Sequence, residues 1–463
     1  MGGGTVRGAT EAAILRNAMK ESGVEPISSI SFSEVLSPYI GVLLVAWLVT
    51  ILATPVMRFI AVRQGIVDCP DQHRKNHVEP VAYLGGMAIF LGWLAGILIC
   101  RWITPHLPDR FEIQQVAFEP SIIVGAVIIT FVGFCDDVYG ITPRIKVAGQ
   151  LFAAAMVAST DLGTTLMQSV LKALSIPDPI LYGEFGLSYV LGAAVIALFV
   201  LGACNAVNLL DGLDGLVAGV LAISCIGFLI LACYAAINVS NNGAASPAEM
   251  RVDSMRVVMC LAMLGALLGF LPHNFNPANI FMGDTGSLLL GYLCATTILL
   301  FAHSPTLEDR VSNEGHVLVT AALIVFALPI TDTALAIFRR VMARQPIYKG
   351  DDRHLHHQFV SAFRNMGCRS GLSVKLAVGS MYLLSLLFAV LGCLLVLVRW
   401  RFLIAVFAVI FGFVLVTGYK AGRRQALKTK PASGVGSEKA NPEISGPMAT
   451  PKPVESSEAA ANR

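Results

Sequence analysis

The stretch GACNAVNLLDGLDGLVAG, residues 202–219, joins two apolar runs, 189–206 and 216–236, each long enough or nearly long enough to cross a bilayer. Within it Asn205, Asn208, Asp211 and Asp214 recur every third residue, with Gly212 and Gly215 alongside. On a helix such a step brings neighbouring members onto a shared face while the set fans round about half the circumference. Carboxylates and carboxamides so close to a membrane core are costly, and they usually face water, an ion or a substrate. The glycines let a phosphate or nucleotide approach the backbone. A plain polar turn between two helices would need only one or two such residues.

The rest of the chain agrees with a membrane setting. Of 463 residues, 55% are hydrophobic and 14% charged, and mean hydropathy is +0.70. This composition is that of an all-α polytopic membrane protein, not a soluble domain. The net charge of +3 is too small to suggest nucleic acid as a partner. The ten cysteines are scattered through apolar runs without a CxxC pair, which argues against a disulfide or zinc framework. Residues 1–38 contain no compact apolar core followed by a cleavage site, so the first span is expected to direct insertion.

Eleven spans are expected, at about 39–60, 83–103, 120–138, 144–160, 189–206, 216–236, 256–272, 286–302, 317–338, 376–398 and 402–419. The connections 61–82, 139–146 and 339–375 and the proximal tail 420–430 carry the larger share of loop Lys and Arg. The positive-inside rule then places them in the cytoplasm, with the N-terminus outside and the C-terminus inside. Three regions follow: an extracytoplasmic segment 1–38, a multi-span domain 39–420 and a tail 421–463. The tail is rich in Pro, Ser, Ala, Lys and Glu and is expected to be disordered.

Four further motifs fall on the cytoplasmic side in that topology. The first loop holds His73, Arg74, Lys75 and His77, a basic cluster suited to phosphate, although a topogenic loop would also be basic. The third span ends in GFCDDVYGITPRIK, where Asp136 and Asp137 precede Arg144 and Lys146. Adjacent carboxylates repel unless a cation compensates, and such a pair can bind a metal or act as a base beside one. The segment HNFNPANIFMGDTGSLLLG, 273–291, contains Asn274, Phe281 as a candidate base-stacking ring, and Asp284 in a turn opening a helix, where Mg²⁺ or an anion can be held. Last, PIYKGDDRHLHHQF supplies Arg353, His354, His356 and His357, a set better suited to diphosphate than to zinc.

Together these give several carboxylates, a basic cluster and a histidine cluster at one membrane face. That combination suits Mg²⁺-assisted phosphoryl transfer between a soluble diphosphate and a membrane-embedded partner. The rival class, an ion-coupled transporter, predicts acids at span centres and internal symmetry, and no repeat is visible.

The DD pair, NAVNLLDGLDGL, NPANIFMGDTGSL and DDRHLHH, in this order, resemble the polyprenyl-phosphate N-acetylhexosamine-1-phosphate transferase family (glycosyltransferase family 4) over roughly residues 40–420. The resemblance implies ten or eleven transmembrane helices, Mg²⁺ with Mn²⁺ as the alternative ion, a UDP-N-acetylhexosamine donor and undecaprenyl phosphate as acceptor. UMP and a lipid-diphosphate sugar that starts cell-envelope glycan synthesis would be the products. It implies a bacterial plasma membrane with the active site at the cytoplasmic face, and a homodimer is compatible with it. The HRKNH segment and the HxHH form, with Leu355 between the histidines, look like the branch that transfers GlcNAc-1-phosphate. The muramoyl-pentapeptide branch, with three consecutive histidines, is the alternative.

Carried over residue by residue, the resemblance implies Asp284 and Asn208 as Mg²⁺ ligands. Asp136 becomes the base or acceptor-phosphate contact, supported by Asp137, and Asp211 and Asp214 become nucleotide- and metal-neighbourhood residues. It also implies Phe281 as the uracil-stacking ring and Arg353, His354, His356 and His357 as diphosphate binders, His356 among the catalytic set. Asn205, Asn274, His73, Arg74, Lys75 and Lys146 complete the candidate substrate contacts. Two positions depart from the pattern: Tyr83 precedes Leu-Gly-Gly where the branch often has Arg, and Gly140 replaces a third acid found in some members.

Overall fold

The computed structural model describes residues 31–68, 80–103, 118–160, 187–241, 247–302, 313–342 and 354–398, together with 162, 167, 344, 406–408, 411–412, 416 and 420. Its helices in chain order are α1 (Phe32–Leu36), α2 (Ile40–Gln64), α3 (Gly85–Ile103), α4 (Pro120–Tyr139), α5 (Pro143–Ala158), α6 (Leu187–Leu210) and α7 (Leu216–Asn241). They continue as α8 (Pro247–Asn274), α9 (Gly283–Ala302), α10 (Asn313–Val325), α11 (Ala327–Met342), α12 (Leu355–Asn365) and α13 (Ser370–Leu397). Strands β1 (Val67–Asp68) and β2 (Val81–Ala82) form one short antiparallel pair, so the class is all-α.

Among the described residues seven helices are long and apolar enough to cross a membrane, or eight when the bent pair α10–α11 is taken as one span, against the eleven expected. Helices do occupy the expected spans from 39–60 to 376–398. However, α5 has only 16 residues, and 402–419 lies largely outside the described residues. The 317–338 span is not straight, because its halves meet at Phe326 and bend by 70°. Pro329 has no N–H to offer the Val325 carbonyl, and that carbonyl accepts the Ser224 hydroxyl instead (3.4 Å).

Helix α9 is the axis of the bundle. Every residue from Thr285 to Phe301 is buried, as expected of a helix apolar on all sides. Its internal hydroxyls are satisfied locally: Thr296 and Thr297 donate to the carbonyls of Tyr292 and Leu293 at 2.9 and 2.8 Å. Tyr292 reaches across to the Ile122 carbonyl of α4 at 3.0 Å. At the C-terminal end of α9, Arg256 donates to the Leu300 carbonyl through Nε (3.0 Å) and Nη2 (2.8 Å) and pairs with Asp253. Desolvated charges are tolerated there because each is hydrogen-bonded.

The opposite end of α9 carries the polar motifs, and backbone pairing organises it. Ile280 bridges Ala82 of β2. Phe281 donates to the Ala82 carbonyl (2.8 Å), and the amides of Gly85 and Gly86 donate to Phe281 and Met282 (3.0 and 2.9 Å). This tight approach depends on a glycine, since a Cβ on Gly86 would collide with the backbone of Gly286.

Candidate active site

Four helix ends converge where α9 begins. Asp136 comes from the last turn of α4, Lys146 from the first turn of α5, Asn208 from the last turn of α6 and Asp284 from the first turn of α9. The Lys146 ammonium lies between two carboxylates, 2.9 Å from Asp136 Oδ2 and in direct contact with Asp284. The carboxamide of Asn208 donates to Asp284 Oδ1 (2.5 Å) and to the Ser287 hydroxyl (2.9 Å). The second Asp136 oxygen accepts the Ile141 amide at 3.0 Å.

The paired aspartates do different work, because successive helical residues point about 100° apart. Asp137 turns to the N-terminus of α9, where it accepts from the amides of Asp284 (2.8 Å) and Thr285 (3.0 Å) and from the Thr285 hydroxyl (2.5 Å). These amides have no intrahelical partner, so a carboxylate from another helix caps them.

A similar division separates Asp211 from Asp214. Asp214 Oδ2 accepts from Asn276 Nδ2 (2.8 Å) and the Ala278 amide (3.1 Å), tying the turn after α6 to the loop after α8. Asn274 reinforces that tie, accepting from the Gly215 amide (3.0 Å) and donating to the Ile280 carbonyl (2.9 Å). The Tyr382 hydroxyl adds a bond to the Gly215 carbonyl at 2.6 Å. The Asp211 side chain makes no such bond among the described residues. Burial, then the nearby carboxylates of Asp284, Asp137 and Asp214, push its pKa up to about 8. Asn205 lies one turn inside Asn208 and donates to Gln150 Oε1 (2.9 Å) and the Leu201 carbonyl (2.7 Å). It fastens α6 to α5 beneath the acids.

The histidine motif is not a solvated loop. His354 and His356 are buried at the start of α12, their rings stacked at 5.7 Å and 8° between planes. His357 packs against His356 at 4.2 Å. Neither ring nitrogen of His356 has a hydrogen-bond partner among the described residues. Burial, chiefly, lowers its pKa to about 3, so the ring is neutral at ordinary pH. Its Nε2 abuts the 211–214 turn, because a Cβ on Gly212 would collide with it. Helix α12 is thereby brought to the acid cluster. On the other flank the Phe281 ring lies 6.0 Å from that of Tyr83. His73, Arg74, Lys75 and Arg353 lie outside the described residues.

The donors suit a magnesium ion shared with substrate. Asp284 and Asn208 meet at one point, turning the Asn208 carboxamide would offer its oxygen there, and the Lys146 ammonium already balances the carboxylates beside it. No group of three His, Cys, Asp or Glu residues among those described forms a closed metal cage. Mg²⁺ bound through one or two carboxylates, with phosphate oxygens completing its shell, needs no such cage.

Three polar residues at the site escaped the sequence reading. Asp332 of α11 is fully buried and pairs with His354. Gln150 lies buried one turn beyond Lys146, its Nε2 without a described partner. Ser287 holds Asn208. Asp332 did carry a signal, being a lone acid in the apolar run LPITDTALAIF.

Comparison with known proteins shows what the chain is similar to. Residues 120–302 match the model of glycosyl transferase family 4. A probable undecaprenyl-phosphate N-acetylglucosaminyl 1-phosphate transferase of Bacillus subtilis (strain 168) is 34% identical over 348 residues, covering 75% of this chain and 82% of that protein. A decaprenyl-phosphate N-acetylglucosaminephosphotransferase of Mycobacterium tuberculosis (strain ATCC 25618 / H37Rv) is 31% identical over 68% of this chain and 74% of its own. A phospho-N-acetylmuramoyl-pentapeptide-transferase of Geobacillus kaustophilus (strain HTA426) is 31% identical over 75% of this chain and 94% of its own.

Proposed function

The chain belongs to glycosyl transferase family 4, and we propose that it transfers N-acetylglucosamine-1-phosphate from UDP-N-acetylglucosamine to undecaprenyl phosphate at the cytoplasmic face of a bacterial plasma membrane. The observation that carries the reading is the meeting of Asp136, Lys146, Asn208 and Asp284 beside a buried histidine whose ring nitrogens have no partner among the described residues. A phosphate-rich substrate would accept from Lys146, Asn208 and the histidine, and a divalent cation bound with it would engage the carboxylates.

In the reaction proposed, an oxygen of the lipid phosphate forms a bond to the sugar-proximal phosphorus of the donor. The anhydride bond to the other phosphorus breaks, and UMP leaves with the bonding electrons. Asp136 keeps the acceptor phosphate anionic and aligned. Lys146 offsets the charge gathered among two carboxylates and the phosphates, and His356 and His354 bind the diphosphate. Phe281 stacks on the uracil, and Asp137 and Asp214 hold the backbone that presents these groups. Mg²⁺ held by Asp284 and Asn208 would supply further charge neutralisation on the diphosphate. One anhydride replaces another, so the reaction should run readily in both directions.

Leu355, which separates His354 from the next two histidines, favours the GlcNAc donor over the muramoyl-pentapeptide donor. The test is a donor screen with purified protein and Mg²⁺, offering UDP-GlcNAc, UDP-GalNAc or UDP-MurNAc-pentapeptide with and without undecaprenyl phosphate. Release of UMP from UDP-GlcNAc only when the lipid is present is the expected result. Release from the muramoyl donor alone would reassign the substrate, and no lipid-dependent release from any donor would overturn the reading. Orientation is tested separately: a cysteine placed in 303–316 should react with an impermeant reagent from outside, and one in 345–352 should not.

A further inference from the structure

We propose that Asp332 is a positioning residue that sets the proton and the orientation of His354, so that His354 presents Nε2 to the donor's second phosphate. The inference rests on the diphosphate-transfer reading above. Asp332 is fully buried on the inward face of α11, and both of its oxygens are used on the first residues of the histidine motif. Oδ2 lies 2.9 Å from His354 Nδ1, and Oδ1 accepts the Leu355 amide at 2.7 Å.

An ionised carboxylate only accepts hydrogen bonds, so Nδ1 donates to Asp332 and Nε2 is the nitrogen that faces a ligand. A phosphate oxygen likewise only accepts, so Nε2 meets it as an N–H, in an imidazolium held between the carboxylate and the phosphate. Among the described residues no partner takes Nε2. The Leu355 bond fixes the backbone on which the ring is mounted, and the stacked His356 ring limits rotation about its side-chain bonds. His356 in turn abuts the turn at Gly212. An ordered path therefore runs from Asp332 through both imidazoles to the acid cluster. A carboxylate buried for packing alone would be a poor choice, since an apolar residue fills the same space without desolvating a charge. The break between α10 and α11 makes the contact available: past the 70° bend, α11 buries Thr331, Asp332, Leu335 and Ala336 along one face.

The test is a double-mutant cycle on Asp332→Asn and His354→Ala, read in two ways on full-length protein in detergent. One readout is kcat for lipid-dependent UMP release. The other is the factor by which UDP binds more tightly than UMP, which isolates the second phosphate. Asp332→Asn should lower kcat by about 10- to 100-fold, the range seen when the carboxylate that orients a metal-ligating histidine is removed. It should also reduce the UDP-over-UMP factor while leaving UMP affinity near that of the parent.

In the His354→Ala background the same substitution should change neither readout, because the group through which Asp332 acts is gone. An equal loss in both backgrounds would make Asp332 a structural residue and overturn the inference, as would undiminished kcat in Asp332→Asn. If Asp332→Asn does not fold, Asp332→Glu replaces it: a carboxylate set one methylene deeper should misplace the ring and lower kcat, and full turnover would overturn the inference. If wild-type protein transfers no sugar phosphate yet the binding cycle shows coupling, the transferase reading fails and the Asp332–His354 pairing stands. If UDP binds no better than UMP to wild type, the inference falls whatever the activity.

Discussion

Asp136 and Asp137 are adjacent and chemically identical, yet the structure requires opposite responses to their removal. Asp137 accepts three hydrogen bonds at the N-terminus of α9, at 2.8, 3.0 and 2.5 Å. Asp137→Ala would leave two helix-end amides and a hydroxyl without acceptors in a half-buried place. Loss of a capping side chain costs about 0.5–2 kcal/mol, and each hydrogen bond to a charged group contributes about 1.5–3 kcal/mol. The three share one carboxylate and are not additive, so the expected destabilisation is about 2–4 kcal/mol. Turnover should fall with it, because the same turn carries Asp284. Asp136→Ala removes one backbone bond and a contact with Lys146, both partly exposed, and should lose turnover with a much smaller change in stability. The assay is apparent Tm in detergent beside lipid-dependent UMP release for each variant. If Asp137→Ala kept its Tm and lost all activity, or if Asp136→Ala were the less stable of the two, the division between chemistry and capping would be refuted.

Four further outcomes are expected. Asp284→Asn should abolish turnover at ordinary Mg²⁺ while the protein remains folded, since it removes charge and keeps shape; near-normal turnover would take Asp284 out of the metal site. Phe281→Ala should weaken donor and UMP binding together by about 1–3 kcal/mol, the worth of stacking on one base. His356→Ala should lower kcat more than UMP affinity, and UMP inhibition constants with donor kcat for the two variants check that division. Without divalent cations, Asp211 holds its proton up to about pH 8 in the folded protein, whereas unfolded it ionises near the ordinary carboxylate value of about 3.9. Its contribution to stability is therefore complete below about pH 4 and is lost as pH rises towards about 8. Asp211→Asn should flatten the decline of apparent Tm across that window, and an unchanged pH profile would show that Asp211 is already ionised.

Helix α11 illustrates a signal that was present and passed over. Pro329 and Asp332 sit in a segment apolar enough to be read as a straight span, and hydropathy averages across both. The proline breaks the ladder, and the acid finds its partner 22 residues later. The histidine motif sits in a charged segment whose spacing gives no sign of its anchor: Asp332, buried inside the bundle, holds His354 and the Leu355 amide, and His354 and His356 are both buried.

Sequence alone determined that this chain is a bundle of apolar helices, roughly where each begins and ends, and that its polar motifs gather at helix ends. Those conclusions follow from local physics: a bilayer admits only hydrogen-bonded helices of limited length, and acids are expelled to their boundaries unless function retains them. Only the tertiary structure decided which carboxylates are free for chemistry. Asp137 and Asp214 are occupied by backbone amides of segments 147 and 64 residues away, and Asn274 by the turn at Gly215. Asp136 and Asp284 share Lys146, and Asp211 is left without a hydrogen-bond partner among the described residues. A carboxylate's role is set by which donors reach it, and donors brought from distant helices leave no periodicity or spacing in the chain to be read.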